Sequence, residues 1–76
     1  MKHAVAAELV GNVAQVQVDV GDAVTPTHTL VILESMKMEI PVLAEVDGTV
    51  VEVAVTEGDV ISEGDVIAVI DTGDRS

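Results

Sequence analysis

Shifted by thirty-seven positions, the sequence falls on itself without a gap. Met1 meets Met38, Val5 meets Val42, Ala7 meets Ala44 and Glu8 meets Glu45. The register continues through Gly11 and Gly48, Val13 and Val50, Val16 and Val53, Val18 and Val55, and Gly21-Asp22 and Gly58-Asp59. Residues 1–37 and 38–74 are therefore read as two copies of one structural unit. Whatever fold one copy adopts, the other must adopt it too.

Within a copy the apolar residues alternate. Ala14, Val16 and Val18 fall on one face of a strand with Gln15 and Gln17 on the other, and the second copy sets Val51, Val53 and Val55 against Glu52 and Ala54. A period of two marks a half-buried strand. Turn signals follow at Gly21-Asp22, Thr25-Pro26, Asp47-Gly48, Gly58-Asp59 and Gly64-Asp65, and strands resume over Thr29 to Leu33 and Val66 to Ile70. This predicts about four short strands in each half.

Composition supports the same fold class. Hydrophobic residues make up 49% of the chain and none is aromatic, so the core must come from Val, Ile, Leu, Ala and Met. The branched members of that set favour strands. A chain of 76 residues buries only about 60% of its unfolded surface, which leaves room for one small core. Neither half can hide its apolar face alone. The expectation is an all-β flattened barrel or sandwich of two four-stranded antiparallel sheets, the two copies packed face to face about a pseudo-twofold axis. A single domain is expected over 1–71, with 72–76 a frayed polar tail.

Only the segment from Ile32 to Ile40 contradicts its neighbours. Leu33, Glu34, Met36, Lys37, Met38 and Glu39 all favour helix, and Ile32, Leu33, Met36 and Ile40 have helical spacing. Pro41 disfavours helix at Ile40 and leaves barely two turns. The matching segment of the second copy, Ile70 to Asp74, ends a strand and turns. A hairpin with Met36 and Lys37 as its central residues is therefore predicted.

That hairpin breaks several local rules. Two-residue turns of the primed type call for Asn-Gly or paired glycines, and Met36-Lys37 would carry positive φ at a cost of about 1 to 2 kcal/mol per residue. The same register sets Glu34 opposite Glu39, a like-charge pair. Rule-breaking of this density is expected where function overrides stability. Lys37 is one of two lysines among fourteen carboxylates, and it lies at the junction of the copies between two flexible, polarizable methionines. A singled-out amine in that place is a candidate for covalent modification. The ordinary alternative is a solvated turn lysine with Met36 and Met38 capping the core.

Other classes are disfavoured. A net charge of −11 repels phosphate backbones and anionic membrane surfaces. The longest strongly apolar run, Leu30-Val31-Ile32-Leu33, is too short to span a bilayer. There is no cysteine for a disulfide or a thiolate-bound zinc, and the N-terminal segment is interrupted at Glu8 before a secretory apolar stretch forms. A soluble cytoplasmic protein is expected, with no nucleic-acid or membrane partner. His3 and His28 lack a close-set second ligand, so no metal is expected. Ser35, Ser62 and Ser76 lack a nucleophile setting, and no catalytic residue is assigned.

The segment Glu34-Ser35-Met36-Lys37-Met38-Glu39, centred between two β repeats, resembles the attachment motif of the biotinyl domain of biotin carboxyl carrier proteins and biotin-dependent carboxylases. The resemblance covers essentially the whole chain. It implies a barrel-sandwich hybrid, with biotin joined by an amide to Lys37 and Met36 and Met38 as its flanking residues. Glu34, Ser35 and Glu39 would then be read by a biotin protein ligase. The modified lysine would carry a carboxyl group between biotin carboxylase and carboxyltransferase, the carrier itself catalysing nothing. Many members have alanine where this chain has Ser35. Some acetyl-CoA carboxylase carriers insert a protruding thumb in the first half, whereas the ungapped repeat matches the thumbless type. Lipoyl carriers share the fold, but their turn typically reads Asp-Lys-Ala. An unmodified acidic interaction module is the alternative from another class.

Overall fold

The computed structural model describes residues 1 to 73. Eight strands follow in chain order: β1 (Lys2–Ala6), β2 (Gly11–Val16), β3 (Ala23–Val24), β4 (Thr29–Ser35), β5 (Met38–Leu43), β6 (Gly48–Val53), β7 (Val60–Ile61) and β8 (Val66–Asp71). No helix occurs among the described residues. The strands form two four-stranded antiparallel sheets, ordered β1-β8-β6-β3 and β5-β4-β2-β7. The predicted all-β class and its two sheets are both present.

The repeat relates the sheets to each other. Exchanging each strand for its counterpart in the other copy turns the order β1-β8-β6-β3 into β5-β4-β2-β7. The copies do not each fold into a sheet of their own, as face-to-face packing would require. Each sheet takes two strands from each half. β1 crosses to pair with β8 while β3 pairs with β6, so the halves interlock through backbone hydrogen bonds as well as side chains.

The core obeys the same symmetry. Ala7 and Ala44, Val13 and Val50, Val18 and Val55, Val24 and Ile61, Leu30 and Ile67, Val31 and Ala68, and Leu33 and Ile70 are all buried. Val5 is buried as well, and its mate Val42 packs half-buried against the cluster. No polar side chain is buried with them among the described residues. The core is aliphatic throughout and contains no methionine.

Simple alternation fails at four places that form two related pairs. Leu30 and its mate Ile67 are extra residues in the pairings of β4 with β5 and of β8 with β1, and β2 and β6 carry the other pair. The pairing of β2 with β4 shifts register between Val13 and Gln15, and that of β6 with β8 shifts between Val50 and Glu52. The extra residues of this second pair are Ala14 and Val51, which are repeat mates. Because a bulge turns the following side chains over, Val13 and Val50 point inward, and Val51 is 37% exposed rather than inside with Val53 and Val55.

Turns are held by aspartates. The backbone N–H of Asp19 donates to Asp22 Oδ2 at 2.9 Å, that of Thr56 to Asp59 Oδ2 at 2.9 Å, and that of Ser62 to Asp65 Oδ2 at 2.8 Å. The preceding residues Gly21, Gly58 and Gly64 have φ of 99°, 94° and 92°, which explains glycine at each. Of the expected tail, Thr72 donates its N–H to the Met1 carbonyl at 2.8 Å, and residues 74–76 lie outside the described residues.

Candidate functional site: the β4–β5 hairpin

Strand β4 runs through the middle of its sheet between β5 and β2. Its apolar residues Leu30, Val31 and Leu33 are almost wholly buried, which fixes the strand's register on the core. Pairing with β5 continues to the end of both strands through Leu33 and Ile40, Glu34 and Glu39, and Ser35 and Met38. Met36 and Lys37 are left as a two-residue loop. The segment is thus the predicted hairpin and not a helix: Leu33 is anchored in the sheet, and Pro41 sits on an edge strand, where a missing N–H is tolerated.

Met36 has φ of 52° and Lys37 a φ of 67°. Both are left-handed, as a type I′ turn requires, and neither is a glycine. The turn directs Lys37 into solvent at the end of a well-anchored strand. Met36 is 91% exposed and Met38 63% exposed, so neither caps the core. Glu34 and Glu39 are both exposed and stand opposite each other one pair below the tip, while Ser35 is half-buried beneath it. All six residues of the sequence motif are brought together on one hairpin.

The ion pairs among the described residues do not involve Lys37. His3 is on β1 with Nε2 3.5 Å from Glu45 Oε1; that nitrogen is covered and makes no hydrogen bond, although the side chain as a whole is 39% exposed. His28 is exposed in the turn before β4. Both lie away from the Met36-Lys37 turn in the strand register.

One supporting residue escaped the sequence reading. Gly11, which opens β2, lies so close to β4 that an added Cβ would stand 2.8 Å from the Glu34 carbonyl oxygen and 3.5 Å from Ser35 Cβ. Its mate Gly48 approaches the Asp71 carbonyl oxygen in the same way. The matching pair of glycines was visible in the repeat, but nothing in the sequence says that they serve close approach rather than a turn.

The biotin/lipoyl family pattern, described as that of a biotin-requiring enzyme, matches residues 1–70. The chain belongs to the biotin/lipoyl attachment family. Two relatives are of similar size. The biotinylated protein TB7.3 homolog of Mycobacterium leprae is 56% identical over 70 residues, covering 92% of this chain and 99% of that one. The biotin/lipoyl attachment protein of Bacillus subtilis is 46% identical over 63 residues, covering 83% and 86%. Among solved structures, a single-chain, multi-domain long-chain acyl-CoA carboxylase superposes with a TM-score of 0.88 at 34% identity. The match covers 96% of this chain and 7% of that protein. In the biotin/lipoyl attachment family this chain is thus homologous to a domain that also occurs inside much larger carboxylases.

What the hairpin offers chemically is a primary amine that an enzyme can reach from most directions. Acylation there needs no rearrangement of the core. A carboxyl-bearing prosthetic group would fit this site as an amide, because the space around Lys37 is open solvent and the neighbouring methionines are flexible.

Proposed function

We propose that this domain is a biotin carboxyl carrier in which the Lys37 side chain is biotinylated by a biotin protein ligase. The observation that carries this reading is the exposed lysine on a strained non-glycine turn, flanked by two exposed methionines, in a member of the biotin/lipoyl family. Met38 directly after the lysine favours biotin over the lipoyl group, whose carriers typically have alanine there. Biotin, when bound, supplies a ring nitrogen that accepts and releases a carboxyl group.

The chain's own contribution is mechanical. The core fixes β4, the hairpin fixes the lysine Cα, and the side chain beyond it is free to swing between a biotin carboxylase and a carboxyltransferase. Tethering raises the local concentration of the carried group to the order of mM. Acylation also removes the positive charge of Lys37. Glu34, Ser35 and Glu39 offer the ligase a polar surface beside the amine, and Met36 and Met38 offer an apolar grip.

The test is incubation of the purified protein with a biotin protein ligase, biotin and ATP, followed by intact mass and peptide mapping. One biotinyl group on Lys37 is expected, and none on a folded Lys37→Arg protein. A lipoyl adduct in protein from its native cell, no adduct at all, or biotin retained by Lys37→Arg would overturn the assignment.

A further inference from the structure

Every methionine in this protein is on the outside. Met1 is 76% exposed, Met36 91% and Met38 63%, while the buried core is built from valine, isoleucine, leucine and alanine alone. Methionine ordinarily fills irregular gaps in cores. Here the aliphatic residues do that throughout, and two of the three thioethers are placed on either side of Lys37. The chain has no cysteine, tryptophan or tyrosine, so these thioethers are its most readily oxidised side chains.

We propose that Met36 and Met38 form a reversible peroxide-sensitive switch on the acylation of Lys37. This rests on the reading of Lys37 as the ligase's target. A thioether sulfur attacks one oxygen of a hydroperoxide, the O–O bond breaks, and a sulfur–oxygen bond forms. The sulfur is oxidised by two electrons to the sulfoxide, and the remaining oxygen leaves as water when the oxidant is hydrogen peroxide, or as the alcohol when it is an organic hydroperoxide. A dithiol reductase reverses the step, taking the oxygen off as water and leaving a disulfide on the reductase.

The structure gives reasons for both sensitivity and effect. Exposure on this scale leaves both sulfurs open to a small oxidant. The hairpin tip is an apolar island, with Met36 and Met38 beside an amine and with Glu34 and Glu39 one pair below. An enzyme that acylates Lys37 must cover those two side chains to reach the amine between them. A sulfoxide brings a polar oxygen and a new stereocentre into that contact, and covering it without a hydrogen-bond donor is unfavourable. The core does not feel the change, because neither methionine belongs to the buried cluster or to the residues packed against it. The switch therefore acts on recognition and leaves the fold alone.

The experiment oxidises the purified protein with hydrogen peroxide, removes the peroxide with catalase, and separates the singly and multiply oxidised species by chromatography. Each is mapped for its sulfoxides, checked by circular dichroism, and assayed for the rate of biotin transfer to Lys37 at limiting protein concentration. Species carrying sulfoxide at Met36 or Met38 are expected to keep the native fold and lose about tenfold or more in kcat/KM. Treatment with methionine sulfoxide reductases restores the rate, and the species oxidised at Met1 alone matches untreated protein. Native-like rates with Met36 and Met38 both oxidised would overturn the switch while leaving Lys37 as the target. An equal loss in the Met1 species, or a loss that the reductases do not repair, would also overturn it. An untreated control that takes no biotin rejects the target and the switch together.

Discussion

Gly11 lies directly against the carbonyl oxygen of Glu34, with so little room that a methyl group would come within 2.8 Å of it. The close approach locks β2 against the end of β4 and so braces the hairpin from below. Gly11→Ala forces that carbonyl or the whole hairpin base to shift, at a cost of about 1 to 3 kcal/mol. Urea denaturation reads the loss, and amide shifts of Glu34 to Met38 report the displaced arm. A Gly11→Ala protein with wild-type stability and unmoved hairpin amides would show that the contact does not matter.

The turn itself stores strain. Met36 and Lys37 hold φ of 52° and 67° without the glycine or asparagine that such angles favour. Met36→Asn relaxes one position and Lys37→Gly the other, each raising stability by about 1 kcal/mol. Both changes also remove part of the proposed recognition motif. Thermal unfolding and ligase assays run in parallel therefore move in opposite directions, with stability rising as modification falls. A destabilised Lys37→Gly protein would contradict the strain.

The strained turn was readable in the sequence, because Met-Lys at a two-residue turn breaks a local rule visible without coordinates. The repeat disclosed the strand count and the hairpin that carries the candidate site at the junction of the copies. Besides the close approach at Gly11, two features were not readable. The bulges at Ala14 and Val51 leave the alternation of residue types intact while changing which side chains point inward, so Val51 reads as core and lies on the surface. The exchange of strands between halves depends on which edges pair, and β1 reads equally well against either copy. Periodicity records the face of a strand and not its neighbour.

Asp59 clasps its turn with two bonds, accepting the Thr56 N–H at Oδ2 at 2.9 Å and the Thr56 hydroxyl at Oδ1 at 3.2 Å. Its mate Asp22 accepts only the Asp19 N–H among the side-chain bonds of that turn. Asp59→Ala should cost about 1 kcal/mol, and Asp22→Ala somewhat less. Denaturant midpoints of the two variants give the order. Equal stability of both variants and wild type would mean that Gly21 and Gly58 hold their turns unaided.

Asp71 links the end of β8 to the start of the chain. Its Oδ1 accepts the Gly73 N–H at 2.9 Å and lies 3.4 Å from the Met1 ammonium. The Gly73 hydrogen bond, aided by the positive charge of the ammonium, holds the carboxyl below its ordinary value of 3.8. A carboxyl depressed on folding stabilises the native state above its unfolded pKa and loses that contribution as pH falls through the folded value. Asp71→Asn should therefore unfold at lower denaturant than wild type at neutral pH. The difference should shrink as the pH falls from 3.8 toward the lower folded value, because the unfolded chain then gains a proton that the native carboxyl takes up only further into acid. Denaturant titrations of both proteins across that range measure the gap, and a gap that stays constant into acid would assign the role of Asp71 to shape rather than charge.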